Sequence, residues 1–266
     1  MEDGEFVSEN YLRNLPFETD RGVAGRAALG LIVLASDQTI EYEFRRVAGL
    51  PGVGIYESRI YNAAQVTPET LRALEQEIAQ GAKLIVPGVP VDVMVFGCNS
   101  GTMIIGEETV YGHIRAARPE VPCTSPVTGM IAAFQRMNVS RIAVLTPYND
   151  AVNKMVADYI RRRNIDVVAF GSFNEENDHK VARTSLSSIG QAILRLGRIR
   201  NVEAVVVCCT SLRLVDEISR IEKELGKPVT SSNHAMGWHA LRLAGIQDVM
   251  PQFGRLFELP LEPGQR

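Results

Sequence analysis

VEAVVVCCTSLR, residues 202–213, and VDVMVFGCNSGT, residues 91–102, are the two stretches that decide the fold of this chain. Each contains an acidic residue, a short apolar run, a cysteine and then small polar residues. A continuous apolar run of this length is typical of a strand buried on both faces of a parallel sheet. In open α/β folds, ligands bind at the edge that follows such strands. The pattern therefore predicts that Cys98 and Cys209 lie at equivalent ligand-binding edges.

The chain also carries an internal repeat. The two cysteine positions, 98 and 209, differ by 111 residues, and the same separation relates LIVLA at 31–35 to IAVLT at 142–146. A third pair, VPCTS at 121–125 and KPVTS at 227–231, is offset by 106 residues. Three similar pairs in the same order indicate two structurally similar halves.

Strands that alternate with helices predict an α/β fold with a mainly parallel sheet flanked by helices in each half. We expect a first lobe at residues 26–125, completed by a C-terminal segment near 215–250, and a second lobe at 126–230. Residues 1–25 are interpreted as an arm over the surface, at a subunit contact of a homo-oligomer. Thr67 and Pro68 predict a helix start, and Gly81 is expected to end that helix after about Gln80.

Composition excludes several classes of protein. The chain has 266 residues, 45% hydrophobic content, 22% charged content and a net charge of −3, which favours a soluble globular protein and gives no reason to expect nucleic acid. No apolar stretch approaches the roughly 18 residues that span a membrane. The acidic N-terminus lacks the features of a signal peptide. Four cysteines without framework spacing fit a reducing cytoplasm, which is the predicted location.

The four cysteines receive different interpretations. Small polar neighbours at a strand-to-helix turn leave backbone N–H groups free for an anion, and the helix N-terminus is expected to lower the pKa of Cys98 and Cys209. Cys208 should point to the opposite face of its strand and belong to the core. Cys123, between prolines, is interpreted as structural.

Two thiols that face each other across a cleft suggest a specific chemistry. One thiolate can take a proton, or attack, from one face of a substrate while the other thiol delivers a proton from the opposite face. This arrangement inverts a carbon centre or isomerises a double bond without a metal or organic cofactor. The substrate is predicted to be a small carboxylate, because polar residues surround the two cysteines: Asn99, Ser100, Thr102, Thr210 and Ser211.

Other candidate sites are interpreted as structural. His234 and His239 are five residues apart and do not share a helix face, so the metal-binding pair at i, i+4 is absent. GLPGVG at 49–54 fits neither the dinucleotide nor the phosphate-loop pattern of glycines. We therefore expect no metal and no nucleotide.

Four motifs together resemble the aspartate/glutamate racemase superfamily: GCNSGT at 97–102, TPY at 146–148, CTSLR at 209–213 and SSNHAMGWHALR at 231–242. The resemblance extends from about Gly30 to Leu243. It is strongest to the branch that holds maleate cis–trans isomerase, arylmalonate decarboxylase and the ectoine-utilisation protein EutA. It implies a two-lobed, pseudo-symmetric fold with the site in the cleft between the lobes.

The resemblance also implies roles for single residues. In maleate isomerase a cysteine matching Cys98 adds to the substrate double bond, and a cysteine matching Cys209 acts as the acid. Tyr148 matches a tyrosine that binds a substrate carboxylate, and Asn177 matches a binding asparagine.

Two departures from the family pattern affect the expected substrate. Maleate isomerase has an asparagine where this chain has Asp37, whose carboxylate would repel a second substrate carboxylate but could hold an amino group or act as a base. This favours an amino acid derivative, and ASDQTIEYEF at 35–44 is most similar to the ectoine-utilisation branch. Arylmalonate decarboxylase keeps only the cysteine matching Cys209, so Cys98 argues against simple decarboxylation.

The sequence favours a cofactor-independent two-cysteine isomerase, a racemase, epimerase or cis–trans isomerase. Three alternatives stay open. The first is a decarboxylase of the arylmalonate type, and the second is a non-catalytic protein that binds a small molecule between two lobes. The third is a thiol-redox protein that uses Cys98 and Cys209 as a disulfide pair.

Overall fold

A computed structural model describes residues 11–63 and 67–261 of the chain. The first ten residues of the arm predicted at 1–25 lie outside the described residues, whereas residues 11–23 of the arm are mostly exposed. No helix in the described ranges combines the length and apolar character needed to cross a bilayer.

The described residues form two four-stranded parallel sheets, with the strand orders β2-β1-β3-β4 and β6-β5-β7-β8. The predicted α/β fold with two similar lobes is confirmed by this arrangement. The strands are β1 Ala27–Leu34, β2 Val53–Ile60, β3 Val93–Phe96, β4 Cys123–Thr124, β5 Arg141–Thr146, β6 Asp166–Ser172, β7 Ala204–Val207 and β8 Val229–Ser231.

Helices connect the parallel strands and cover both faces of the sheets. They are α1 Ile40–Ala48, α2 Pro68–Ala73, α3 Glu75–Leu84, α4 Asn99–Ile105, α5 Glu107–Ala117, α6 Pro126–Arg136, α7 Asp150–Arg161, α8 Asp178–Val181, α9 Leu186–Gly197, α10 Ile218–Leu225 and α11 Ser232–Leu243. Two 3₁₀ turns, Pro251–Phe253 and Arg255–Glu258, follow the last helix.

The register of the strands defines how the two halves correspond. Met94 lies opposite Cys123 in the first sheet, and Val205 lies opposite Val229 in the second. These pairs give the offsets of 111 for β3 and β7 and 106 for β4 and β8 that the sequence repeat indicates.

The first strands of the two sheets are offset differently. Ile32 lies opposite Phe96 in one sheet, and Leu145 lies opposite Val207 in the other, so β1 and β5 differ by 113 positions rather than 111. Side chains alternate between sheet faces with a period of two. The observed offset of 113 and the predicted offset of 111 therefore place each side chain of β1 and β5 on the same face of its sheet.

A common core joins the two sheets, because apolar residues of both belong to one buried cluster with α6 and α11. The two helices lie so close that a Cβ on Gly129 would stand 2.7 Å from the carbonyl oxygen of Ala235. Met130 of α6 contacts Cys208, with Sγ and Sδ 3.7 Å apart, while α11 packs on α1 of the first half. The lobe boundaries at 26–125 and 126–230 stay a prediction, since this core crosses them.

The helix predicted after Thr67 differs from expectation at its end. The predicted start is confirmed, because Thr67 is the N-cap and forms a capping box with Thr70. The single predicted helix is divided at Leu74 into α2 and α3. The prediction that Gly81 ends the helix is wrong, because α3 continues through it to Leu84. A Cβ on Gly81 would lie 2.6 Å from Cγ2 of Ile60, so the glycine permits close packing of α3 on β2.

Candidate active site

A small cavity of about 60 Å³ lies where β1, β3, β5 and β7 end. Eight of the nine residues predicted to form the site line this cavity: Asp37, Cys98, Asn99, Ser100, Tyr148, Cys209, Thr210 and Ser211. We call it the cysteine cavity. The parallel strands bring these side chains together because their carboxyl ends meet at one edge in each sheet.

Cys98 follows β3 and is the N-cap residue of α4. Its Sγ accepts a hydrogen bond from the backbone N–H of Gly101 at 3.2 Å and lies 3.9 Å from Oγ of Ser100. The side chain is buried, with 5% of the residue exposed. The turn predicted from the sequence therefore fixes the sulfur at the start of a helix.

Cys209 occupies the equivalent position after β7 and lines the cavity together with Tyr148. Cys209 packs in the cluster on one face of the second sheet, whereas Cys208 is fully buried in the common core on the other face. The prediction that Cys208 belongs to the core is thus confirmed, and only Cys209 of this pair lines the cavity.

The thiols do not have the lowered pKa values that the helix N-terminus predicted. Burial raises the pKa of Cys98 to about 11 and that of Cys209 to about 12. The N–H of Gly101 and the Tyr148 hydroxyl oppose this effect, and the negative charges of Asp37 and Asp178 add to it. The expectation is wrong because loss of hydration of a buried thiolate outweighs one or two hydrogen bonds. At Cys209, moreover, no helix begins at the turn, since α10 starts only at Ile218.

Asp37 links the two halves of the site. Its Oδ1 accepts hydrogen bonds from the backbone N–H groups of Thr39 at 2.7 Å and Ile40 at 2.8 Å, at the start of α1. Its Oδ2 accepts a hydrogen bond from Oγ1 of Thr210 at 2.7 Å. Burial raises the pKa of Asp37, and these hydrogen bonds oppose the rise.

Asp178, the first residue of α8, is a second carboxylate in the cysteine cavity that sequence reasoning missed. Its two oxygens accept hydrogen bonds from Oγ of Ser36 at 2.9 Å and Oγ of Ser211 at 2.8 Å. Asn177, which the resemblance indicated, is exposed, does not line this cavity and caps α8 through the N–H of Lys180 at 3.1 Å. The residue that lines the cavity and the residue that the resemblance indicated are neighbours in the sequence, and only the fold distinguishes their positions.

A buried polar network supports the Cys209 turn from behind. Glu43 of α1 accepts hydrogen bonds from the backbone N–H groups of Leu214 and Val215 and, at 2.9 Å, from Nδ2 of Asn233. The same Nδ2 donates to the carbonyl oxygen of Thr210 at 2.8 Å. Burial raises the pKa of Glu43 to about 7. This network holds the residues after Cys209 against both α1 and α11.

Asn99 and Ser232 connect the start of α4, beside Cys98, with α11 and the end of β7. Nδ2 of Asn99 donates to Oγ of Ser232, which donates to the carbonyl oxygen of Val207 at 3.3 Å. Oδ1 of Asn99 is buried and has no hydrogen-bond partner among the described residues.

The two histidines have structural partners. Nδ1 of His234 contacts Oγ1 of Thr230 at 2.9 Å, its Nε2 contacts the carbonyl oxygen of Phe253 at 2.7 Å, and His239 contacts Thr124 at 2.7 Å. Burial lowers the pKa of both to about 4. Within the described ranges, no group of three or more histidine, cysteine, aspartate or glutamate residues has the arrangement of a metal site.

Two parallel sheets, each with a cysteine at the end of its third strand, define this protein as an α/β enzyme of the aspartate/glutamate racemase superfamily, in the branch of maleate isomerase and arylmalonate decarboxylase. The sequence model of the arylmalonate decarboxylase family matches residues 107–257, and the chain belongs to that family.

Individual relatives agree with this assignment. Arylmalonate decarboxylase of Bordetella bronchiseptica is 29% identical over 140 residues, which are 52% of this chain and 58% of that protein. Maleate isomerase of Pseudomonas putida is 23% identical over 241 residues, which cover 86% of this chain and 96% of the relative.

A solved structure shows the same fold. A cysteine-to-alanine variant of a maleate isomerase from Pseudomonas putida, crystallised with maleate, superposes with a TM-score of 0.80 at 23% identity. The superposition covers 87% of this chain and 97% of that chain.

Proposed function

We propose that this protein is a cofactor-independent isomerase in which Cys98 and Cys209 act on opposite sides of one small carboxylate substrate. The observation that carries the proposal is that both cysteines, one from each sheet, line the same cavity. A proton removed by one sulfur and a proton delivered by the other would invert a carbon centre. The same pair would support cis–trans isomerisation if one sulfur adds to a double bond and is later eliminated.

The racemisation reaction balances with the two cysteines alone. One thiolate removes the proton from the carbon next to the substrate carboxylate, and the electron pair passes into that carboxylate as an enolate. The opposite thiol then donates its proton to the other face of the carbon. The enzyme returns with the thiol and thiolate exchanged, and the reverse reaction restores the first state. Neither an oxidant nor a reductant is consumed.

The charge of the cavity supports a substrate with an amino group. Asp37 and Asp178 line the cysteine cavity, and none of its described lining residues is lysine or arginine. A substrate ammonium near these carboxylates would offset their negative charge and stabilise a nearby thiolate. The bound substrate would therefore lower the thiol pKa values that burial raises. Backbone N–H groups at the start of α4 and the Tyr148 hydroxyl would hold the substrate carboxylate.

The finer proposal is a step on an amino acid derivative of the kind formed in ectoine utilisation. It rests on Asp37 and on the similarity of residues 35–44 to the ectoine-utilisation protein EutA. A decarboxylase of the arylmalonate type is the second candidate, because that family's sequence model matches the chain. The cysteine at position 98 favours the isomerase, since a second acid or base is needed only where both faces of a carbon react.

A panel of chiral amino acids, their N-acyl derivatives and unsaturated diacids, incubated in heavy water and followed by NMR and polarimetry, tests the proposal. We expect deuterium at the carbon next to the carboxylate together with loss of optical rotation. Cys98→Ser and Cys209→Ser should each lower the turnover at least about 100-fold, while Cys123→Ser should keep it.

Other outcomes would replace the proposal. Release of carbon dioxide from arylmalonates by the wild type and by Cys98→Ser would favour the decarboxylase. Ligand binding without exchange would indicate a binding protein. Loss of free thiols under mild peroxide, restored by reductant, would indicate a redox pair, although all four cysteines are free in the structure.

We also propose that the protein assembles as a homo-oligomer through its N-terminal arm. Leu12, Leu15 and Phe17 in the arm are 72%, 62% and 85% exposed, and such a group of apolar side chains is typical of a contact surface. Light scattering should give a multiple of 29.3 kDa for the wild type. A smaller mass is expected for Leu15→Ser/Phe17→Ser, and an unchanged mass would contradict this role of the arm.

A further inference from the structure

A second cavity adjoins the cysteine cavity and has not been given a role. It has a volume of about 250 Å³, roughly four times that of the cysteine cavity at about 60 Å³. Tyr148, Asp178 and Cys209 line both cavities, so a ligand in one contacts the wall of the other. Cys98 lines only the smaller one. The reacting centre between the sulfurs is therefore confined, whereas a substituent that extends past Cys209 has room.

The larger cavity is acidic. Glu175, Glu176 and Asp178 line it, and none of its described lining residues is lysine or arginine. Glu176 accepts a hydrogen bond from Nδ2 of Asn149 at 2.7 Å. Glu175 pairs with Lys180, which lies outside the lining, with Nζ and Oε2 3.4 Å apart. Among the described residues, Lys180 thus offsets the charge of Glu175, while Glu176 and Asp178 keep an excess of negative charge at the cavity.

Apolar side chains complete the wall. Pro147, Val152 and Val181 line the larger cavity beside the carboxylates. This combination fits an aliphatic chain that ends in a positive charge, since methylene groups pack on the apolar side chains and the charged end reaches the carboxylates. It disfavours a second carboxylate at this end of a substrate, because like charges repel.

We propose that this second cavity, here called the acidic cavity, binds a cationic side chain of the substrate while the reacting carbon lies between Cys98 and Cys209. The inference rests on the proposed function and adds a substrate class: amino acids with an amine-terminated or guanidine-terminated side chain. Glu175 and Glu176 are then specificity-determining residues. A cationic side chain would approach Cys209 from the acidic cavity along the wall that carries Asp178.

The charge preference is measurable without turnover. Cys209 is modified with two methanethiosulfonates of similar size, one ending in trimethylammonium and one in sulfonate, in a Cys98→Ser/Cys123→Ser background. Mass spectrometry of the Cys209 peptide follows the rates at low and high salt. Each rate is divided by the rate of the same reagent with free mercaptoethanol, because a thiolate by itself favours a cationic reagent. We expect the normalised ratio of cationic to anionic rates to be about tenfold or more at low salt and to fall as salt is added.

Variants of the lining residues test whether the charge preference arises in the acidic cavity. Glu175→Gln/Glu176→Gln should lower the normalised ratio about threefold or more, while Asp37 and Asp178 keep the remaining part of the preference. Glu217→Gln/Glu224→Gln removes the same net charge from α10 and its N-terminus, residues that do not line either cavity, and should leave the ratio unchanged. Val152→Phe should slow both reagents together, because it narrows the acidic cavity without changing its charge.

The outcomes separate this inference from the proposed function. A normalised ratio close to one, or one that favours the anionic reagent, would overturn the cation-binding role of the acidic cavity even if the protein racemises its substrate. A charge preference that depends on Glu175 and Glu176, found in a protein without isomerase activity, would keep the cation site and reject the isomerase. If the isomerase activity and the cation site are both found, Glu175→Gln/Glu176→Gln should raise KM for a cationic amino acid about tenfold or more with little change in kcat.

Discussion

The hydroxyl of Thr210 donates a hydrogen bond to Oδ2 of Asp37 over 2.7 Å, and these residues lie 173 positions apart in the two halves of the chain. Thr210 directly follows Cys209, and the other oxygen of Asp37 holds the start of α1. The bond therefore fixes the sheet edge of one half against that of the other. A carboxylate in this place both joins the halves and contributes negative charge to the cysteine cavity.

Asp37→Asn should change substrate preference more than stability. The amide oxygen can still accept from the N–H groups of Thr39 and Ile40, and the amide nitrogen can donate to Oγ1 of Thr210. The free energy of unfolding should change by only about 1 kcal/mol. Loss of the charge should raise KM for an amino-bearing substrate roughly 10- to 100-fold. Steady-state kinetics checks this, with Asp166→Asn as a surface control, and an unchanged KM would contradict a contact between Asp37 and an ammonium.

Asp178→Asn should make both cavity thiols more reactive in the free enzyme. With pKa values of about 11 for Cys98 and about 12 for Cys209, alkylation by iodoacetamide should rise with pH without a plateau below about pH 10. The negative charge of Asp178 raises both pKa values, so its removal should lower them and speed alkylation at pH 8. Mass spectrometry of each cysteine peptide reads the rates. A plateau near pH 8 in the wild type would contradict the effect of burial.

Glu43 should make the protein less stable as pH rises through neutrality. Its pKa in the folded state is about 7, above the value of 4.5 in the unfolded chain, so the folded state binds the proton more tightly. The resulting stability is complete below about pH 4.5 and is lost as pH rises through 7. The difference of 2.5 pH units corresponds to roughly 3 kcal/mol.

Urea unfolding at several pH values measures this contribution. Glu43→Gln should flatten the slope of the free energy of unfolding between pH 5 and 8, whatever its effect on absolute stability. Glu224→Gln, an exposed carboxyl on α10, is the matched control and should keep the wild-type slope. Equal slopes for wild type and Glu43→Gln would show that Glu43 does not titrate in this range.

Two glycine-to-alanine changes test the packing of the halves. Gly129→Ala should lower the free energy of unfolding by about 1 to 3 kcal/mol, because the new Cβ would lie 2.7 Å from the carbonyl oxygen of Ala235 between α6 and α11. Gly112 lies on the exposed face of α5 with no atom within 4 Å of an added Cβ. Gly112→Ala should therefore stabilise the protein by about 0.5 to 1 kcal/mol. Equal effects would contradict the close contact of α6 with α11.

Local sequence patterns predict the sheet edges well because the repeat reports strand positions directly. The offsets of 111 and 106 place Cys98 with Cys209 and Cys123 with Val229 as the strand register does. The sequence pairing of β1 with β5 is wrong by two residues, because IAVL at 142–145 can be aligned either with LIVL at 31–34 or with LGLI at 29–32, which are both apolar. A shift of two positions leaves no trace in a pattern whose period is two.

Other features depend on the folded arrangement and have no local signal. Asp178 begins a four-residue helix between β6 and α9, and only the packing of that segment against Ser36 and Ser211 brings it to the cavity. The rise in the thiol pKa values follows from burial, which neighbouring residues in the sequence do not reveal. The local sequence around Gly81 predicts a helix end, whereas the glycine in the fold permits close packing of α3 on β2.

The most direct test of the central claim is the stereochemistry of proton exchange in the single-cysteine variants. Each enantiomer of the substrate identified by the panel is incubated in heavy water with Cys98→Ser and with Cys209→Ser, and NMR follows exchange of the proton next to the carboxylate. If the two sulfurs face opposite sides of one carbon, each variant should exchange the proton of one enantiomer only, and the two variants should prefer opposite enantiomers. Exchange of the same enantiomer by both variants, or undiminished exchange in the double variant, would contradict the account.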